Sequence, residues 1–494
     1  LSSIKKLASQ FAVYGMSNIV GRFLNYLLVP LYTGIFEPSA YGINVMLYSY
    51  VAFFNVLLTY GMETAFFRFA SKHENPSKVY ATALISLLCS SMVFVFFASF
   101  FSPQIASLIL IPEYPQYVTM FVWILALDAM SSIPFAYLRQ QSKPVRFAVI
   151  KNINILLNVG LNLYFFLLGP YLAAKGIKLP YYEATVGIGY IFISNLVASI
   201  VTLLLFMPEI MKMRAARFDA QLWKQMLIYG LPMMVVGFAG MINETIDRVF
   251  ISWFYDDTEV GRSMNGIYGA NYKLAVLMTL FVQAFRYAAE PFFFAHAANS
   301  DKKEIYARVM NYFVATGLLV FLFVVQYLDV FADLFLRNKS FHSGLHVVAP
   351  LLIANLFLGI YYNLSVWYKV TDHTKKGALI SIIGALITIA LNLWWIPIFG
   401  YTGAAYATLV CYISMAIIGY IWGQRYFHVP YQVLKLLGYI VFALMLYYSA
   451  AYATPILSVE SIFIKRVIQF IPIGVFAVVV YYFESKDKTL ISQG

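Results

Sequence analysis

Apolar stretches recur along the entire chain, roughly every 30–40 residues, and each is about 20 residues long, enough for a helix to cross a hydrocarbon core. They lack the period-2 alternation of barrel strands. With 62% apolar and only 11% charged residues, the chain is expected to be an all-α polytopic membrane protein with about fourteen transmembrane helices. The loops between them run to about 20 residues at most, so they hold no soluble catalytic or nucleotide-binding domain. Cys89 and Cys411 sit in separate apolar stretches, which argues against a disulfide and against a cysteine-based metal site.

The helices are not independent of one another. Leu161-Asn162-Leu163 returns as Leu391-Asn392-Leu393, 230 positions later, and at that shift Arg139 falls on Lys369 and Arg146 on Lys376. Tyr41-Gly42 precedes Glu63 by 22 residues, as Tyr268-Gly269 precedes Glu290. Tyr14-Gly15 has a looser mate in Tyr229-Gly230. Ordered matches of this kind mark an internal duplication, the means by which transporters build two lobes around a central site. The expected division is an N-terminal lobe over 1–210, a C-terminal lobe over 211–430 and an extra helix pair over 431–494, with two pseudo-symmetric six-helix lobes in the same orientation.

Charge sets the orientation. About 23 basic residues fall in the N-terminus and alternate loops, against about seven on the other side, which predicts that both termini are cytoplasmic. The net charge of +12 follows from this asymmetry and suits anionic inner-leaflet lipids; nucleic acid is not needed to explain it.

Basic residues also fall inside predicted spans, where each would cost roughly 2.5–3.5 kcal/mol if it faced lipid at mid-depth. Arg22 shares a helical stripe with Asn18 and Asn25 on the first span. Asn243, Glu244, Asp247 and Arg248 cluster on the seventh, and Lys273, Gln283, Arg286 and Glu290 line the eighth. The expected substrate-binding set is Asn18, Arg22, Asn25, Arg248, Lys273 and Arg286, directed into one cavity between the lobes. Glu63, Asp128, Glu244, Asp247 and Glu290 are the candidate coupling or gating groups. Structural readings compete at several points: an Asp247–Arg248 ion pair, Glu63 and Glu290 solvated near helix ends, Lys273 snorkelling to the interface, and Asn162 and Asn392 bonding between helices. An arginine-bearing cavity suits an anionic ligand, because guanidinium pairs bidentately with phosphate.

The run Gln10-Phe11-Ala12-Val13-Tyr14-Gly15 through Arg22 to Pro30-Leu31-Tyr32 resembles the polysaccharide-transport branch of the MATE-like (MOP) flippase superfamily. So do Tyr229-Gly230-Leu231-Pro232 followed by Asp247-Arg248, and Tyr268-Gly269 through Phe285 to Glu290-Pro291. The resemblance covers essentially the whole chain. It implies a Wzx-type transporter that flips an undecaprenyl-pyrophosphate-linked oligosaccharide by alternating access, with Arg22 and Arg248 receiving the pyrophosphate or an acidic sugar. No cofactor is implied beyond coupling to protons, sodium or membrane potential; the implied partners are membrane lipids and other polysaccharide-assembly proteins. The extra helix pair is similar to that of the lipid II flippase, which makes lipid II the alternative cargo. A multidrug exporter would favour a carboxylate-rich cavity, and an integral-membrane O-antigen polymerase or ligase a large extracytoplasmic loop and no six-plus-six repeat.

Overall fold

The computed structural model describes residues 21, 23–177, 179–212, 217–295, 302–371, 373–456 and 461–492. Among these the chain is helical throughout, with no strand. Eleven helices are long and apolar enough to cross a membrane. The other expected spans coincide with the shorter apolar segments Phe23–Ile35 and Gly189–Leu205 and with the long helix Thr258–Ala295, which carries Lys273, Arg286 and Glu290. The protein is a multi-pass membrane protein.

Contacts divide the chain into two compact units, Leu1–Gly266 and Ile267–Gly494. The first holds α1 (Val29–Ile35), α2 (Pro38–Thr59), α3 (Met62–Ala70), α4 (Pro76–Phe100), α5 (Pro115–Gln140), α6 (Pro144–Leu163), α7 (Gly189–Leu205), α8 (Ala220–Trp253) and the start of α9 (Thr258–Ala295). Proline opens α2, α4, α5 and α6, where its fixed φ suits the first turn and its missing N–H is not needed. The apolar periodicity runs one span through 43–65, but the helix breaks there. Tyr60 and Gly61 both take positive φ, 32° and 72°, so α2 ends and α3 restarts from a left-handed glycine cap.

The division by packing differs from the division by repeat. Although the repeat assigns α8 to the second half, α8 packs on α2, α3 and α4, and Leu222 and Met226 of α8 join Met62, Phe66, Tyr80, Leu84 and Ile133 in one buried cluster. The packing boundary therefore falls within α9 rather than at 210.

The ends of unit 1 that carry Arg68, Lys78, Arg139 and Arg146 form its basic end. Here Arg146 holds the buried Glu209 of the short helix Met207–Met211 in a two-point grip, with Nε to Oε1 at 2.6 Å and Nη2 to Oε2 at 2.9 Å. Asp219 caps α8 by accepting from the Gln221 and Leu222 amides and pairs with Lys78 at 2.6 Å. Through the Lys78 bond first, and these amides, its carboxyl is held down to about 2.

In unit 2, α9 continues and is followed by α10 (Lys302–Gln326), α11 (Leu328–Phe335), α12 (Val348–Leu364), α13 (Thr374–Phe399), α14 (Tyr401–Tyr426), α15 (Val433–Ile456) and α16 (Ile462–Ser492). Helix α14 packs against α12 and α13, and α10 against α12, α15 and α16. The extra pair α15–α16 is pinned at both ends. Lys435 meets Glu484 at 2.5 Å, and Lys465 and Arg466 of α16 meet Asp329 of α11 at 2.8 and 2.9 Å. The repeated asparagines behave alike in their own units. Asn162 and Asn392 are both fully buried, and each bonds back to the carbonyl four residues earlier, at 2.8 and 2.7 Å.

Arg146→Ala should leave the Glu209 carboxylate, whose side chain is only 4% exposed, without its main partner, at a cost of about 2–3 kcal/mol. Burial pushes the Glu209 carboxyl up, but the Arg146 grip outweighs burial and sets it below its ordinary 4.5. The stabilisation is thus complete above that value and lost as acid protonates the group in the fold. Thermal unfolding of the detergent-solubilised protein should show a clear drop in Tm for Arg146→Ala at pH 7, partly recovered by adding Glu209→Gln. An unchanged Tm would contradict this account.

Candidate functional site

Two polar ridges face each other inside unit 1. On α6, Lys151, Asn154, Asn158 and Asn162 recur at helical spacing; on α7, Asn195, Ser199 and Thr202 do the same. The two helices pack directly, and hydrogen bonds run along the seam. Asn154 donates to Thr202 Oγ1 at 2.9 Å, and Asn162 donates to Asn158 Oδ1 at 2.9 Å while accepting from the Tyr32 hydroxyl at 2.8 Å. Neighbouring helices extend the set: Ser199 donates to Asp128 of α5 at 2.9 Å, and Asn195 donates to the Tyr48 hydroxyl of α2 at 2.8 Å.

Asp128 is the acid of this group. It is exposed on α5, with Lys151 close enough to act on it electrostatically. A carboxylate within a span, with a hydroxyl bonded to it and an ammonium nearby, can hold a proton or a small cation.

A second group lies on α8. Asn243 and Asp247 are buried, and the Arg248 side chain is 11% exposed. The guanidinium bonds to the Glu244 carbonyl at 2.6 Å and to Asp247 Oδ1 at 3.3 Å, and it acts electrostatically on Tyr41 of α2. Glu244 shares the grip on Arg248 through its backbone, and its side chain is exposed. The i to i+4 spacing suggests a side-chain pair, but here the carbonyl four residues back lies nearer the guanidinium.

The remaining candidates are dispersed. Glu63 pairs with Arg139 at 2.5 Å, at the basic end, where the Arg139 guanidinium also lies 5.1 Å from the Phe67 ring centroid. Asn25 and Lys273 are exposed. Arg286 is exposed as well, with its guanidinium 5.0 Å from the Tyr362 ring centroid, a cation–π contact. Asn18 and Arg22 lie outside the described residues, as does the side chain of Glu290. Sequence reading missed the partners of these groups. Arg139 and Arg146 register there as repeat markers and, with Arg262, as charges that set sidedness, whereas in the structure each holds a carboxylate: Glu63, Glu209 and Glu113. The long-range polar seam also escapes a scan of one helix at a time; the Asn spacing on α6 was its one local signal.

A helical bundle of this kind, with charges held by partners inside its spans, defines a membrane transporter fold, and comparison with known proteins places it further. The model of the polysaccharide biosynthesis protein family matches residues 7–297, well over half of the chain. The chain belongs to that family. Its fold is that of MOP-superfamily transporters. The lipid II flippase MurJ, solved in an inward closed conformation, aligns over 94% of this chain and 98% of its own, with a TM-score of 0.66 and 15% identity. An inward-facing multidrug resistance MATE family transporter aligns over 82% of this chain and 94% of its own, with a TM-score of 0.63 and 14% identity. A MOP superfamily transporter from Pyrococcus furiosus, described as having a binding pocket of reverse polarity, aligns over 85% of this chain and 95% of its own, with a TM-score of 0.56 and 14% identity. No curated protein matches the sequence.

The two roles open to Arg248, partner of Asp247 or receptor of substrate, separate in a pair of variants. Arg248→Gln alone should remove a charged partner of the buried Asp247 and lower stability by about 3 kcal/mol. Adding Asp247→Asn should restore much of the Tm. If Arg248 contacts the cargo, the restored double variant stays inactive in transport; full activity of the double variant would assign Arg248 to structure alone.

Proposed function

We propose that this protein carries an undecaprenyl-pyrophosphate-linked oligosaccharide from the cytoplasmic to the periplasmic leaflet of the bacterial inner membrane by alternating access, with its basic end and both termini in the cytoplasm. The family match over residues 7–297 carries this reading. The charge in the spans supports it: Arg248 is paired with Asp247 and nearly buried on α8, and Arg286 is presented on α9. Such guanidinium groups fit an anionic head group and disfavour cationic drugs. Arg22, Asn18, Asn25 and Lys273 complete the proposed head-group set.

The coupling reading rests on the acids of the spans. Asp128, beside Ser199 and Lys151, is a candidate for taking up a proton or sodium ion. Glu63, Glu244, Asp247 and Glu290 are the other candidates, and membrane potential acting on the same charges is an equivalent source of drive. Other polysaccharide-assembly proteins are the proposed partners.

Lipid II is a second cargo to be considered, because the similarity to MurJ covers 98% of that chain. Deleting the gene should abolish the cell's surface polysaccharide and cause lipid-linked oligosaccharide to accumulate, with cell-wall synthesis intact. The native gene should restore the polysaccharide; Arg22→Ala and Arg248→Ala at normal abundance should not, and Arg22→Lys should restore it in part. Unchanged surface polysaccharide after deletion would overturn the proposal, and arrested cell-wall synthesis would transfer it to lipid II.

A further inference from the structure

Helix α2 is crossed by backbone at both of its ends, and glycine makes each crossing possible. At its start, a methyl group on Gly42 would fall on the carbonyl of Arg262 in α9, and one on Gly266 would fall on the carbonyl of Pro38. The contact is reciprocal and made of main chain on both sides. It is reinforced by Arg262, whose Nε donates to the Leu110 carbonyl at 3.1 Å and whose Nη2 meets Glu113 at 2.9 Å. At the other end of α2, a methyl group on Gly61 would fall on the Gly230 carbonyl of α8, and one on Gly230 would sit 2.9 Å from the Tyr60 carbonyl. Side chains lock this end too. Trp223 donates to Ser86 at 2.7 Å, and the Arg68 guanidinium lies 4.2 Å from the Tyr229 ring centroid.

Backbone cannot move aside as a flexible side chain can, so neither crossing tolerates a Cβ without separating. By contrast, Gly240, on the same α8, has open space around its Cβ position. The sequence repeat assigns α2 to the first half and α8 and α9 to the second, so each crossing joins one half to the other at one end of a single helix.

We propose that these crossings are the two latches of the transport cycle: Gly42 with Gly266 closes the periplasmic face, Gly61 with Gly230 closes the cytoplasmic face, and each must part in turn. This rests on the alternating-access reading above. The glycines set how tightly each face shuts, so a single methyl group at one latch biases the protein toward opening on that side.

The test uses the full-length protein in lipid nanodiscs, with both cysteines replaced and paired spin labels at exposed positions: Glu37 and Glu259 for one end, Lys72 and Gln221 for the other. Gly42→Ala and Gly266→Ala should each raise the separated population of the Glu37–Glu259 pair about tenfold and leave the other pair unchanged. Gly230→Ala should do the converse, and Gly240→Ala should move neither. Arg262→Ala adds no bulk and should shift the first pair in the same direction as Gly42→Ala, so the inference stays testable if an alanine variant folds poorly. Unchanged distances in the folded variants would overturn the latches. If the distances shift as expected and the wild type moves no lipid-linked oligosaccharide, the latches stand and the cargo assignment falls.

Discussion

A polar side chain inside hydrocarbon must either bond to a neighbour or face enclosed water, because the bilayer interior offers no other partner. This constraint organises the molecule. The backbone meets it by closing every span into helix, and the side chains meet it in pairs: Asn154 with Thr202, Ser199 with Asp128, Tyr32 with Asn162, Arg248 with Asp247. Individually these bonds are modest, about 0.6 kcal/mol each for hydrogen bonds between membrane helices. Their value lies in direction. They hold the first unit in one register while keeping charge available within the spans.

The arrangement also separates two tasks. Asp128 sits on α5 beside the ridges of α6 and α7, whereas Arg248 sits on α8 and acts electrostatically on Tyr41 of α2. An acid that takes up a cation and a base that receives an anion would neutralise each other if they were neighbours. They stand on different helices, each beside an oppositely charged neighbour of its own, Lys151 for Asp128 and Asp247 for Arg248. Helix α2 meets the first group through the Asn195–Tyr48 bond, lies within electrostatic reach of the second at Tyr41, and is gripped by both glycine crossings.

Much of this was legible in the sequence. Helical class and duplication follow from the apolar periodicity and from the Asn162 and Asn392 motifs, since a membrane span is a local property and a repeat can be read by sliding the chain over itself. Partners were not legible. Arg139 finds Glu63 across 76 residues and Arg146 finds Glu209 across 63, distances over which no spacing rule operates. Glycine misleads in a different way: Gly42 and Gly266 look like weak points in helices until the backbone lying against them is seen. Tyr60-Gly61 does carry a turn signal, but the apolar residues on either side mask it. Packing of α8 onto α2, α3 and α4 likewise depends on the tertiary fold, which is why the boundary drawn from the repeat differs from that drawn from contacts.

The central claim is that basic charge is kept within this helical bundle to receive an anionic lipid-linked sugar. The most direct measurement is reconstitution of the purified protein in proteoliposomes loaded on one leaflet with a polyprenyl-pyrophosphate oligosaccharide, with arrival on the other leaflet scored by an impermeant sugar-modifying enzyme. The account predicts that the protein accelerates transfer of this lipid, that the doubly substituted Asp247→Asn, Arg248→Gln protein does not, and that a polyprenyl oligosaccharide lacking the pyrophosphate is left behind. Equal transfer of the charged and uncharged lipids, or no transfer of either, would contradict it.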